Sequence, residues 1–242
     1  MIKLDTGTEL PESFVLTKEF KEIFEIINNT NSNLFITGKA GSGKSTLLEY
    51  FRQNTKKNYA ILAFQGIAAL KAKGQTIHSF FKFPPHFISE DDIDTLKDKE
   101  TIQKLDTILI DEISMVRADL FDAIDISLKK NRNNNQPFGG VQIVLFGDVM
   151  QIDPIVGKDD KVMDQFYPKG PFFFHSNSYD KDSFKQVELT KIFRQSDENF
   201  INLLNKIRLN KIESEDLDEL NKRFKKDVEK GTIVLCPTNR KV

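Results

Sequence analysis

The sequence predicts an α/β fold: a mostly parallel sheet with helices on both faces. Three observations lead there. Short apolar runs alternate with amphipathic helical stretches for most of the 242 residues, which is the pattern of β-α-β crossovers. A Gly-rich turn ending in lysine follows the first such run, where a parallel sheet opens a helix onto a phosphate. A later apolar run ends in two adjacent carboxylates, Asp111 and Glu112.

The elements follow in order. Leu16, Phe20, Ile23, Phe24 and Ile27 recur at helical spacing, and Asn28–Asn33 is a polar break. Leu34–Thr37 reads as a buried strand, followed by the Gly-rich turn and a helix from Lys44 to about Gln53. Tyr59–Phe64 and Thr107–Asp111 read as strands. Ala118–Lys130 is a helix with Leu120, Phe121, Ile124 and Leu128 on one face, and Asn131–Gly140 is a polar loop with Pro137. Gln142–Gly147 is a further strand. Ser196 is placed to cap a helix carrying Phe200, Leu203, Leu204 and Ile207, and Thr232–Cys236 is a last strand. Open parallel sheets bind ligands beyond the carboxyl ends of their strands, so the chemistry belongs just after Thr37, Phe64, Asp111 and Gly147.

Composition narrows the function classes. Hydrophobic residues make up 39% and charged residues 29%, a globular balance. The single cysteine, Cys236, excludes an internal disulfide framework and a Cys-rich zinc site. Met1–Phe14 has no apolar core of the kind a secretory signal needs, and no run reaches the roughly 18 residues of a membrane helix. A soluble, cytoplasmic protein of a bacterial cell, with no membrane partner, is expected. Basic and acidic residues number 35 and 36, which excludes a grossly basic nucleic-acid coat and leaves room for a local basic groove.

The turn Gly38-Lys39-Ala40-Gly41-Ser42-Gly43-Lys44-Ser45, continued by Thr46, fits the phosphate-loop pattern. Its glycines let the backbone aim successive N–H groups at phosphate oxygens, and the helix that starts at Lys44 adds its positive end. Lys44 supplies a cation to the β- and γ-phosphates, and the Ser45 hydroxyl suits Mg²⁺. A nucleoside triphosphate with Mg²⁺ is therefore expected. Asp111 is the second Mg²⁺ candidate, and Glu112 is placed to orient and deprotonate an attacking water. Gln151, after the Gln142–Gly147 strand, suits a γ-phosphate sensor, and Arg194 suits a cation on the transition state.

Five segments then follow one another in order: GKAGSGKST at 38–46, GIAALKAKGQTIHSFF at 66–81, DEISMV at 111–116, GDVMQIDP at 147–154 and ELTKIFRQ at 188–195. Together they resemble the Pif-type helicases, superfamily-one 5′-to-3′ DNA helicases related to RecD. The stretch DEISMVRADLFDAID with the later PFGG is similar to that family's own signature, and the resemblance covers about residues 16–242. It implies a RecA-like motor domain in which ATP hydrolysis drives movement along single-stranded DNA. It carries Lys44, Ser45, Asp111, Glu112, Gln151 and Arg194 into the roles above, and gives Gln65, Gly66, His78, Ser79 and Phe80 a DNA-facing role. It also implies that about residues 82–103, with Pro84-Pro85 and the solvent-facing acidic run Ser89–Asp92, form a small inserted subdomain.

This sequence departs from the family pattern in two places. Phe20 stands where many members carry a glutamine that reads adenine, and Phe64-Gln65-Gly66 stands where Pro-Thr-Gly is usual. Leu235–Arg240 resembles the entry to a second motor, so the expected layout is motor domain one over 1–200 and the start of motor domain two over 201–242. The chain is then expected to be a monomeric N-terminal fragment, weak in ATP turnover and inactive in unwinding. Two other readings compete with the helicase: a non-catalytic nucleotide- or DNA-binding module, and a phosphate-loop kinase, which the Asp111-Glu112 pair disfavours because it suits water as nucleophile.

Overall fold

In the computed structural model, residues 10, 14–157, 160–193 and 197–224 are described. The chain divides into two compact units, Met1–Ser196 and Asp197–Val242.

The first unit begins with α1 (Lys18–Asn29), whose N-terminus is capped by the Thr17 hydroxyl accepting from Phe20 N–H at 3.1 Å. β1 (Asn33–Gly38) then leads through the Gly-rich turn into α2 (Lys44–Asn54). β2 (Tyr59–Ala63), α3 (Gly66–Lys71), β3 (Gln75–Thr76) and α4 (Ile77–Phe81) follow closely. Next come α5 (Lys99–Gln103), β4 (Thr107–Asp111), α6 (Ala118–Arg132), β5 (Gln142–Phe146), α7 (Asp160–Phe166) and β6 (Phe184–Leu189). The six strands form one sheet in the order β3-β2-β4-β5-β1-β6, and every pairing is parallel.

Both faces of the sheet are buried, and the strands show why they read as continuous apolar runs. Alternate residues enter opposite cores. Leu34, Ile36, Leu109, Val144 and Phe146 pack with Phe20, Ile23, Leu47 and Phe51 of α1 and α2. Phe35, Ile108, Ile110, Ile143 and Leu145 pack on the other face with Phe81, Phe121, Ile124 and Leu128. Segment 82–103 joins that second core through Phe83, Ile88, Ile93 and Ile102, and its acidic turn Glu90–Asp92 is closed by Asp92 accepting from the Ser89 hydroxyl at 2.6 Å.

Two strands lie outside the sequence-based expectation. β3 has only two residues, and β6 alternates one apolar end with a polar middle, Phe184-Lys-Gln-Val-Glu-Leu189. Both are sheet edges, where pairing with one neighbour replaces an apolar pattern. β6 gains its strand character from six paired positions along β1.

The helix expected over Ala118–Lys130 runs two residues further, into what reads as loop. Tertiary bonds hold its last turn: Asn131 accepts from Leu96 N–H at 2.8 Å, and the Arg132 guanidinium reaches the carbonyls of Ile102 at 2.6 Å and Gly139 at 2.8 Å. α6 also buries three carboxylates that sequence periodicity alone assigns to a solvated face. Asp119 forms a bidentate pair with Arg117 and accepts from Ile88 N–H at 3.0 Å. Asp122 receives Tyr167, Asn177 and Ser178. Asp125 accepts from Phe138 N–H at 2.6 Å. Each acid therefore ties a different loop to one helix, which gives the DLFDAID and PFGG segments a structural role.

The second unit contains α8 (Glu198–Arg208) and α9 (Ser214–Asn221). Asp197 caps α8, accepting from Phe200 N–H at 3.1 Å. The expected cap, Ser196, lies outside the described residues, as does the expected strand Thr232–Cys236. Lys206 of α8 bonds Asp216 of α9 at 2.8 Å.

Candidate ATP and DNA site

The phosphate loop joins β1 to α2 at the carboxyl edge of the sheet, and its packing explains its glycines. A Cβ at Gly38 would lie 2.8 Å from the Leu189 carbonyl oxygen on β6. A Cβ at Gly43 would lie 2.7 Å from the ring of Phe20, and Gly43 also holds a left-handed φ of +89°. Phe20 is thus buried against the back of the loop. The residue that departs from the family pattern has become a support for the cradle, with no polar atom to offer a base. Phe193 N–H donates to the Gly41 carbonyl at 2.9 Å and fastens the loop from the β6 side.

Within the loop, Ser42 is buried and its hydroxyl has no hydrogen-bond partner among the described residues. Ala40 and Ser45 are exposed, and Gly41, Lys44 and Thr46 are half-buried. The Lys44 ammonium reaches back to the carbonyls of Gly38 at 2.6 Å and Lys39 at 3.3 Å.

β4 delivers Asp111 and Glu112 to the same edge. Asp111 is buried, and its carboxyl is pushed up to about 6, chiefly by burial and then by the neighbouring Glu112 charge, with Lys71 and Lys44 opposing. Glu112 sits at φ +52°, ψ +49°, and its N–H donates to Asp111 Oδ1 at 3.0 Å. A non-glycine residue in this region carries backbone strain of order ~1–3 kcal/mol, a feature that concentrates at functional sites. Ser45 and Asp111 offer hydroxyl and carboxylate oxygens, the hard donors that suit Mg²⁺.

Gln151 lies beyond β5, exposed, with its amide 3.2 Å from Asp148 Oδ2. It shares a cavity of about 240 Å³ with Glu112, Gln65 and Lys71. The structure therefore brings Glu112, Gln151 and the DNA-assigned Gln65 to one space. Gly66 is exposed at the start of α3.

The other DNA-assigned residues sit on α4. His78 lines a second cavity of about 470 Å³ with Phe64, Pro85, His86, Arg117 and Ile155. Burial, and then the Arg117 charge, hold its imidazole below the ordinary histidine value, against a smaller opposing pull from Asp119. Ser79 is exposed, and its N–H is taken by the Thr76 hydroxyl at 3.2 Å. Phe80 is half-buried and packs edge-on to Phe81, with ring centroids 4.9 Å apart. Arg194 lies outside the described residues.

Sequence reasoning overlooks Lys71 and Phe193. The signal for Lys71 is its place at the end of the short GIAALK helix, one turn past the DNA-assigned turn. Phe193 has no local signal, since its role depends on β6 lying beside β1.

A family model described as PIF1-like helicase matches residues 15–218. The chain is similar to the ATP-dependent DNA helicase PIF1 of Saccharomyces cerevisiae, 35% identical over 236 residues, which covers 91% of this chain and 26% of the yeast protein. It is 32% identical over 188 residues to the human protein of the same name, covering 76% of this chain and 28% of that one. The chain thus spans about a quarter of the length of these relatives. Among solved structures, the Pif1 helicase from Bacteroides in complex with ADP-AlF3 and ssDNA superposes with a TM-score of 0.82 at 40% identity, covering 89% of this chain and 51% of that one. The Candida albicans Pif1 helicase gives 0.77 at 29% identity, covering 91% and 50%. Parallel strand order, cradle, acidic pair and matched sequence converge on one assignment: the chain belongs to the PIF1-like helicase family.

Proposed function

We propose that this chain is the ATP-hydrolysing motor of a DNA helicase that moves 5′ to 3′ along single-stranded DNA. One observation carries the reading: the phosphate loop after β1, Gln151 after β5 and the Asp111-Glu112 pair at the end of β4 stand at the same edge of three neighbouring parallel strands.

In this reading the loop backbone from Gly38 to Gly43, with Ala40, Gly41 and Ser42, takes the β-phosphate. The N-terminal turn of α2, with Lys44, Ser45 and Thr46, takes the γ-phosphate side. Ser45 and Asp111 hold Mg²⁺, which when bound neutralises phosphate charge. Glu112 accepts the proton of the attacking water, and Gln151 senses the γ-phosphate. Arg194 is proposed to stabilise the transition-state charge. Gln65, Gly66, His78, Ser79 and Phe80 form the DNA-facing strip, in which neutral donors contact phosphates and Phe80 offers a ring edge. The protein is proposed to act as an intracellular monomer. Among the described residues no helix is long and apolar enough to cross a membrane.

The test is phosphate release from ATP with and without single-stranded DNA, and with EDTA. The expected result is weak, metal-dependent turnover that DNA raises and that Lys44→Ala removes. Phosphoryl transfer to a small-molecule acceptor instead of water would favour the kinase reading and overturn this one.

A further inference from the structure

Lys71 is the last residue of α3, a helix about 9 Å long at 1.5 Å per residue. The helix is lightly seated. Ala69 is its one buried residue, while Ile67 and Leu70 are 74% and 75% exposed. Its preceding residue, Gln65, and its last, Lys71, line one cavity with Glu112 and Gln151.

The strand order gives this placement a direction. β2, which α3 follows, pairs on one side of β4, with Ala63 level with Asp111. β5 and then β1, which carries the phosphate loop, lie on the other side. Lys71 thus reaches the cavity from the β2 side of β4, away from the strand that carries the phosphate loop.

We propose that Lys71 is a positioning residue that restrains Glu112 across this cavity, and that a DNA phosphate arriving at the Gln65–Gly66 end of α3 takes the ammonium and releases Glu112 toward the attacking water. The proposal rests on the helicase reading and supplies its coupling between DNA and hydrolysis. It has a simple electrostatic basis. Lys71 is exposed on a flexible stem, and an incoming phosphate competes with a carboxylate for one compact, mobile charge. Lysine does not touch the reacting atoms in this scheme. It sets where Glu112 points.

The experiment measures single-turnover phosphate release and nucleotide affinity for the whole chain and for Lys71→Ala, Lys71→Gln and Lys71→Arg, with and without oligothymidylate. Loss of one partly exposed attraction is expected to raise DNA-free turnover about three- to fivefold in Lys71→Ala and Lys71→Gln. The response to DNA then flattens toward one, and nucleotide affinity changes less than twofold. Lys71→Arg is expected to keep the wild-type pattern. A lowered urea midpoint in both neutral variants would mark the gain as a general loosening of α3 and overturn the proposal; wild-type midpoints are expected. Unchanged or lower DNA-free turnover in both neutral variants overturns the proposal. A wild-type chain that does not bind ATP, or a Lys44→Ala chain that still turns it over, instead overturns the helicase reading itself.

Discussion

The Lys44 ammonium lies 2.6 Å from the Gly38 carbonyl oxygen, six residues earlier on the same loop. The ammonium is thus held by carbonyls of its own loop, and in the proposed role it exchanges a carbonyl for a phosphate when nucleotide enters. Lys44→Ala is expected to weaken ATP affinity by more than about tenfold, the loss of one charge-assisted contact. Lys44→Arg is expected to restore little, because a planar guanidinium does not fit where a compact ammonium does. Isothermal titration with ATP checks both. Wild-type affinity in Lys44→Ala would remove the lysine from phosphate binding.

Asp122 makes a separate, structural prediction. Its buried carboxylate accepts from Tyr167 Oη at 2.8 Å, Asn177 N–H at 3.1 Å, Ser178 N–H at 2.7 Å and the Ser178 hydroxyl at 2.6 Å. Tyr167→Phe removes one of these bonds and is expected to cost about 1 kcal/mol. Asp122→Ala takes the acceptor from the buried Tyr167 phenol and from the part-buried Asn177 and Ser178 N–H groups, so the expected cost is about 3 kcal/mol. Urea unfolding of the two variants compares them. Equal costs would mean that solvent reaches the Asn177–Ser178 turn.

His78 titrates below the ordinary histidine value because burial, and then the Arg117 charge, disfavour its protonated form. Its folded value lies below its unfolded one, so its contribution to stability is present above the unfolded value. That contribution is lost as pH falls through the folded one. Relative to His78→Gln, the wild-type chain is therefore expected to lose melting temperature between pH 7 and about pH 5. A wild-type curve parallel to the His78→Gln curve would show that the imidazole is solvated. At pH 7 the ring is neutral, so His78→Gln is also expected to leave the salt dependence of DNA binding unchanged.

Much of the motor is legible in the residues, because its strongest signals are local. Thr107–Asp111 is a strand at the bounds its apolar run suggests. Lys44 begins α2 because Gly43 takes a left-handed turn that the Gly-Ser-Gly spacing announces. The solvent-facing acidic run closes on itself through Ser89 and Asp92, again a contact across three residues. The buried face of Asp119, Asp122 and Asp125 is not legible in the same way. Each carboxylate binds a backbone or side-chain donor on a distant loop: Ile88 for Asp119, Tyr167 and Ser178 for Asp122, and Phe138 for Asp125.

The sequence by itself determined the alternation of strand and helix, the phosphate loop and the acidic pair that ends β4. All three depend on neighbours a few residues apart: side-chain periodicity, glycine torsions and helix starts. The tertiary structure decided what stands beside what. It set β6 against β1, so that Leu189 and Phe193 shape the loop. It put Phe20 behind Gly43 as packing. It also laid β2 next to β4, so that Lys71 of α3 lines one cavity with Glu112. Strand order arises from burying two sheet faces at once, and that balance is summed over the whole core.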